Sequence, residues 1–225
     1  MTPTKAGRLV PAGLLALSVV PVLAGAVRVA ELTGGAGVTP DNARFFAAPL
    51  PVTLHIAGVT VYSLLGAFQF APGLRRRRPA WHRAAGRVLV PFGLVAALSG
   101  VWLTLFSDLP AFDAGLLTAF RLAAGSAMAV SLALGLAAIL RRDVARHRAW
   151  MARAYALGMG AGTQAVLLAA WDAATGGPPG PFPRALLLGL GWGVNLAVVE
   201  WAIHRHVRRA VGQPFGGGKS SAADS

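Results

Sequence analysis

The chain contains no cysteine, only two lysines (Lys5 and Lys219), and eight acidic residues in 225. The lack of cysteine excludes disulfides, thiolate metal sites and cysteine nucleophiles. Charged residues make up 13% of the chain, about half the roughly 25% usual for a soluble domain. Several catalytic signatures are also missing: there is no Gly-x-x-x-x-Gly-Lys-Ser/Thr loop, no His-Glu-x-x-His and no Gly-x-Ser-x-Gly. No connection between the apolar blocks exceeds about twenty residues, too few for a soluble catalytic domain. Any chemistry must therefore use the apolar part of the chain itself.

That apolar part dominates: 55% of residues are hydrophobic. They fall into blocks long enough to span about 30 Å of hydrocarbon at about 1.5 Å per residue. The first runs from Leu9 to about Val29, the second from about Leu50 to Phe70 and the third from Val88 to Phe106. The fourth runs from about Gly115 to Leu140, the fifth from about Met151 to Trp171 and the sixth from about Arg184 to His204. The expected fold is an all-α polytopic transmembrane bundle of about six spans.

The net charge of +13 is carried almost wholly by arginine. Arg75, Arg76, Arg77, Arg78, Arg83 and Arg87 stand between the second and third blocks. Arg141, Arg142, Arg146, Arg148 and Arg153 stand between the fourth and fifth, and Arg205, Arg208 and Arg209 follow the sixth. Lys5 and Arg8 precede the first. The other connections are nearly free of basic residues and hold most of the acids. Alternation of this kind is the positive-inside pattern, and it predicts both ends in the cytoplasm of a bacterial inner-membrane protein. It also accounts for the basic charge without nucleic acid. The first block, with Lys5, Arg8 and the stretch Ala24-Gly25-Ala26, also fits a signal peptide, but its length favours a retained helix. Residues 1–212 read as one transmembrane domain, and the Gly- and Ser-rich 213–225 as a disordered cytoplasmic tail.

Two cytoplasmic connections echo one another: Trp81-His82-Arg83-Ala84-Ala85-Gly86-Arg87 and Arg146-His147-Arg148-Ala149-Trp150-Met151-Ala152-Arg153. Helix starts are expected at Pro79, suited to a first turn, and after Asp143, a good N-cap. The echo implies either a duplicated helical hairpin (spans two–three and four–five) or the preference of membrane interfaces for Arg, His and Trp.

Candidate site residues follow from cost. Glu200 lies one turn inside the sixth span and must face the bundle and meet a cation; Arg87 and Arg153 stand at similar depth. Such a cytoplasmic mouth binds an anionic ligand or relays protons, or else it is a structural ion pair that pins three helices. His82 and His147 sit at equivalent positions of the echo and admit a bis-histidine haem b site, although both fall in the headgroup zone. A second haem at the outer face has only His55. His204 and His206 lie in a basic, solvated stretch. Near the outer face stand His55, Arg28 and Arg121, with Glu31, Asp108, Asp113 and Asp172 in the flanking loops, and Arg121 requires a partner, either an outer acid or an anionic ligand. In mid-membrane, Thr163, Gln164 and Asn195 are expected to bridge helices, beside the small-residue run Gly158–Gly162 that admits close approach. Gln69 ends the second span. No metal-ligand set is apparent.

The segments His55…Gly66-Ala67-Phe68-Gln69-Phe70, His82-Arg83-x-x-Gly86-Arg87, Arg146-His147-Arg148-Ala149-Trp150-Met151-x-Arg153-x-Tyr155-Ala156-Leu157 and Asn195-Leu196-x-x-x-Glu200-Trp201 together resemble the DUF2306 family of bacterial membrane proteins. The resemblance covers roughly Val52 to Trp201. It implies a helical membrane fold and lends no catalytic residue or ligand. Three functional classes stay open: small-solute or proton handling at the cytoplasmic mouth, haem-based electron transfer, and a non-catalytic bundle that contacts lipid, a second copy or a membrane partner.

Overall fold

The computed structural model describes residues 5–211, and all regular structure among them is helical. Helix α1 spans Lys5–Thr33. A short α2, Ala43–Ala47, follows a loop folded by Asn42, whose side chain accepts from the Thr39 amide (2.6 Å) and donates to the Gly37 carbonyl (3.1 Å). Helix α3 (Pro49–Ala67) ends in a 3-10 turn, Phe68–Phe70, and leads through α4 (Pro72–Arg77) to α5 (Pro79–Phe106). After a second 3-10 turn, Ala111–Asp113, come α6 (Leu116–Leu140), α7 (Val144–Gly158), α8 (Gly160–Thr175) and α9 (Pro181–Val211). Residues 1–4 and the expected tail, 213–225, lie outside the described residues.

Both expected helix starts are present. Pro79 occupies the first turn of α5, where its missing N–H costs nothing. Asp143 caps α7 by accepting from the Arg146 amide at 3.0 Å, satisfying one of the orphan donors of the first turn.

Five helical stretches are long and apolar enough to cross a membrane: Leu9–Thr33, Pro49–Phe70, Pro79–Phe106, Leu116–Leu140 and Pro181–Arg205. Their outward residues, among them Leu23, Val27, Leu98, Leu105, Val130 and Val198, are large, apolar and exposed, as a lipid-facing surface requires. The expected fifth span is the exception. It is not one apolar helix but two, because the ladder is interrupted at Met159, between Gly158 and Gly160, and α7 carries Arg146, His147, Arg148 and Arg153. Glycines weaken the helix there, and the bundle exploits the interruption.

Helix α3 packs on α5, α6 on α7, and α1 on both α3 and α8. The approach is close where glycines stand. A β-carbon on Gly58 would fall 2.8 Å from the Ala96 nitrogen of α5, and one on Gly162 would fall 2.2 Å from the Leu17 carbonyl oxygen of α1. With no hydrophobic force between helices in lipid, such small-residue contacts supply the packing. The core at the centre joins Tyr62, Leu89, Ala96, Met128, Leu132, Ala154, Tyr155 and Leu157. Tyr155 lies over Gly66, whose β-carbon would meet its ring at 2.2 Å, and donates its hydroxyl to the Ser63 carbonyl at 2.7 Å. The buried phenol is thereby satisfied, as burial of a polar group demands.

Candidate functional site

Among the described residues, the buried side-chain polar atoms without a hydrogen-bond partner lie toward the two ends of the bundle. In the middle, the Thr163 hydroxyl donates to Asn195 Oδ1 (2.8 Å), and Asn195 Nδ2 donates to the Ala156 carbonyl (3.0 Å). Ala156 lies one turn before the interruption at Met159, where the α7 ladder ends. Its carbonyl gains a side-chain donor from α9 there, as non-helical backbone at this depth requires. Gln164 donates to the Leu188 carbonyl at 2.8 Å. His55 meets the Ala96 carbonyl (2.9 Å) and the Ser99 hydroxyl (3.2 Å) through Nδ1 and straps α3 to α5. These residues are spent on other helices.

At the end where α5 and α7 begin, Arg153 takes both oxygens of Glu200 through Nε and Nη2, the second contact being 2.9 Å. It also lies over the Trp150 ring, 4.7 Å from its centre. The pair is bidentate and joins α7 to α9. Arg87 is exposed on α5 and forms no ion pair with Glu200.

The two echo histidines lie within electrostatic reach of one another, but their settings differ. His147 Nδ1 meets the Gly135 carbonyl of α6 at 2.8 Å. His82 Nδ1 is buried and has no hydrogen-bond partner among the described residues, and Gln69 Nε2, at the end of α3, is in the same state. Arg75, His147, Arg148 and Arg83 act electrostatically on His82, with no carboxylate among them. Burial and the neighbouring Arg148 and Arg76 charges push the Arg75 guanidinium below its ordinary value, the mark of cations short of counter-charge. His204 Nδ1 meets the Glu200 carbonyl at 2.7 Å; the His206 side chain lies outside the described residues.

At the opposite end, Asp113 is 3% exposed and holds two arginines, one on each oxygen. Arg121 of α6 reaches Oδ2 at 2.7 Å, and Arg184 of α9 reaches Oδ1 at 3.0 Å. Burial pushes the Asp113 carboxyl up, but the hydrogen bonds and charges of Arg121 and Arg184 outweigh it and hold it below the usual carboxylate range. Arg28 pairs with Glu31. Arg28 and Arg44 lie over the Phe45 ring, 3.9 and 4.6 Å from its centre. Asp108 and Asp172 are exposed.

Arg75 and Arg148 near His82, and Arg44 and Arg184 near Asp113, do not stand out in the sequence as site residues. The first two are hidden inside arginine runs of which any member fits equally well. The other two had a usable signal: they are rare cations in connections otherwise poor in them. Among the described residues no group of three or more His, Asp or Glu side chains could hold a metal ion.

Long apolar helices, an apolar outer surface and charge confined to the two ends define an integral membrane protein of the multi-pass helical class. The chain belongs to the DUF2306 family: the model of that family, described as a predicted membrane protein, matches residues 52–203. No curated protein and no solved structure matches the chain.

Proposed function

We propose that the protein binds a small anion of the phosphate class at the mouth formed by α4, α5 and α7, with His82, Arg75 and Arg148 as its contacts. One observation carries this reading: a buried, unpartnered His82 Nδ1 amid arginines, with no carboxylate acting on it. Unpaired buried polar groups are costly and call for a partner. Arginine presents a planar fork suited to oxyanions. A proton path is less well supported, since Thr163, Gln164 and Asn195 are already committed to other helices.

In this reading the chain crosses a bacterial inner membrane six times, through α1, α3, α5, α6, the pair α7–α8, and α9. Both ends and the arginine-rich mouth face the cytoplasm. The clustering of arginine in alternate connections supports that orientation. The packing of α3 on α5 and of α6 on α7 supports a duplicated hairpin, with one histidine of the pair tied to a carbonyl and the other left for a ligand. Contacts with lipid and with a second copy or membrane partner belong to the outward apolar surface.

The test is thermal unfolding of the full chain in neutral detergent, with sodium phosphate compared with sodium chloride at equal ionic strength. Phosphate is expected to raise the midpoint by mass action, with the shift reduced in Arg75→Gln and His82→Ala. A shift unchanged in both variants, or none beyond that in chloride, overturns the proposal. The absorption spectrum of the same sample addresses haem b. Because His147 Nδ1 faces the Gly135 carbonyl, its Nε2 is left as a ligand atom. A Soret band lost in both His82→Ala and His147→Ala would assign this mouth to haem instead.

A further inference from the structure

The Asp113 end gathers four arginines from four different helices: Arg28 of α1, Arg44 of α2, Arg121 of α6 and Arg184 of α9. Two carboxylates meet them. Asp113 is saturated, each oxygen holding one of Arg121 and Arg184, and Glu31 is taken by Arg28. Arg44 is left over. It is half-buried, its Nε–H is buried without a hydrogen-bond partner, and it makes no ion pair among the described residues. The carboxylate that acts on it is Asp113, while Arg28, Arg121 and Arg184 all repel it. Asp41 and Asp108, on adjoining loops, are exposed and pair with none of the four.

The arrangement is also pre-organised. Phe45 supports the guanidinium groups of both Arg28 and Arg44 through its ring face, and Asp113 fixes the other two. A planar guanidinium held on an aromatic face, with an unused N–H, is prepared for a bidentate oxyanion contact. In the orientation proposed above this is the outer face, where arginines run against the usual bias. The chain nevertheless concentrates all its outer arginines in this cluster.

We propose that Arg44, flanked by Arg28 and Arg121, forms a second anion site that binds a phosphate-class oxyanion at the Asp113 end of the bundle. The oxyanion is either free phosphate or the phosphodiester of a lipid headgroup. The site is independent of the His82 mouth, so each can fail alone.

Both sources can be tested on the full chain carrying Arg75→Gln, which weakens the other mouth. Inorganic phosphate is titrated calorimetrically in neutral detergent. In parallel, the protein is reconstituted into nanodiscs of phosphatidylcholine with phosphatidylglycerol, and the lipid that stays bound after release is identified by native mass spectrometry. Adding Arg44→Gln is expected to weaken phosphate about tenfold or more, or to abolish phosphatidylglycerol retention, as loss of a charge-assisted contact implies. Arg44→Lys keeps the charge but removes the fork and should recover only part. Phosphate binding without lipid retention supports a soluble ligand, and the reverse supports a lipid headgroup. Should Arg44→Gln lose helical structure, the Arg44→Lys comparison decides. Neither ligand binding to a helical protein that retains Arg44, or equal binding in both Arg44 variants, overturns the proposal.

Discussion

Arg153 grips both carboxylate oxygens of Glu200 across 47 residues of sequence, fastening α7 to α9 at the histidine end. Neither side chain is fully buried, at 26% and 35% exposed, so the pair sits between a solvated ion pair and a desolvated one. Glu200→Gln keeps the shape and one acceptor but removes the charge. It is expected to lower stability by about 1 kcal/mol, read as a lower unfolding midpoint in detergent. An unchanged midpoint would show that the bridge adds nothing net.

The contact of Tyr155 with Gly66 leaves no room for a methyl group. Gly66→Ala must push the ring aside and stretch its bond to the Ser63 carbonyl, for a cost of about 1–3 kcal/mol from overpacking. Gly13 has nothing within 4 Å of the position of a β-carbon. Gly13→Ala should therefore be neutral or stabilising by up to about 1 kcal/mol. Equal effects of the two substitutions on the unfolding midpoint would contradict this packing.

Asn195 serves two helices at once, accepting from Thr163 and donating to Ala156. Asn195→Leu leaves the Ala156 carbonyl and the Thr163 hydroxyl unpaired, with an expected loss of about 1–2 kcal/mol. Thr163→Val in the same background should add little, because its partner is already gone. A double-mutant cycle tests this, and additive losses would show that the two residues act separately.

Asp113 gives the protein an acid-sensitive fastening. Its carboxyl is held below the usual range when folded, so its contribution is fully present above the ordinary Asp value of about 3.9. That contribution is lost as pH falls through the lower folded value. Asp113→Asn strands Arg121 and Arg184 without their counter-charge, with an expected cost of about 3 kcal/mol near neutral pH. The difference in unfolding midpoint between wild type and variant should shrink on acidification below about pH 4. A difference that stays constant to low pH would argue against ionic fastening.

The absence of cysteine makes the orientation directly measurable. Gly177→Cys, in the connection between α8 and α9, should react in whole cells with a membrane-impermeant maleimide. Arg78→Cys, between α4 and α5, should react only after the membrane is opened. The reverse pattern would invert the bundle.

Much of this architecture was legible without coordinates because it is local. The apolar runs mark the long helices, Pro79 and Asp143 mark helix starts through first-turn chemistry, and a carboxylate as deep as Glu200 must meet a cation. The interruption at Met159 was less legible. The run from Gly158 to Gly162 reads equally well as a tight helix–helix contact, and it is both: Gly162 faces Leu17, while the ladder gives way beside it.

Which group meets which was decided only by the tertiary structure. Arg184 reaches Asp113 across 71 residues, and Tyr155 reaches Ser63 across 92. Such pairings depend on the rotation of each helix about its axis and on which helices are neighbours. Contacts such as Gly58 on Ala96 and Gly162 on Leu17 set that geometry. Hydropathy and charge counts carry no information about rotation. The sequence therefore determined the helices, their approximate ends and the concentration of charge. The fold alone determined that Arg153 closes on Glu200, that Asp113 consumes Arg121 and Arg184, and that among the described residues His82 Nδ1 and Arg44 Nε are left without a hydrogen-bond partner.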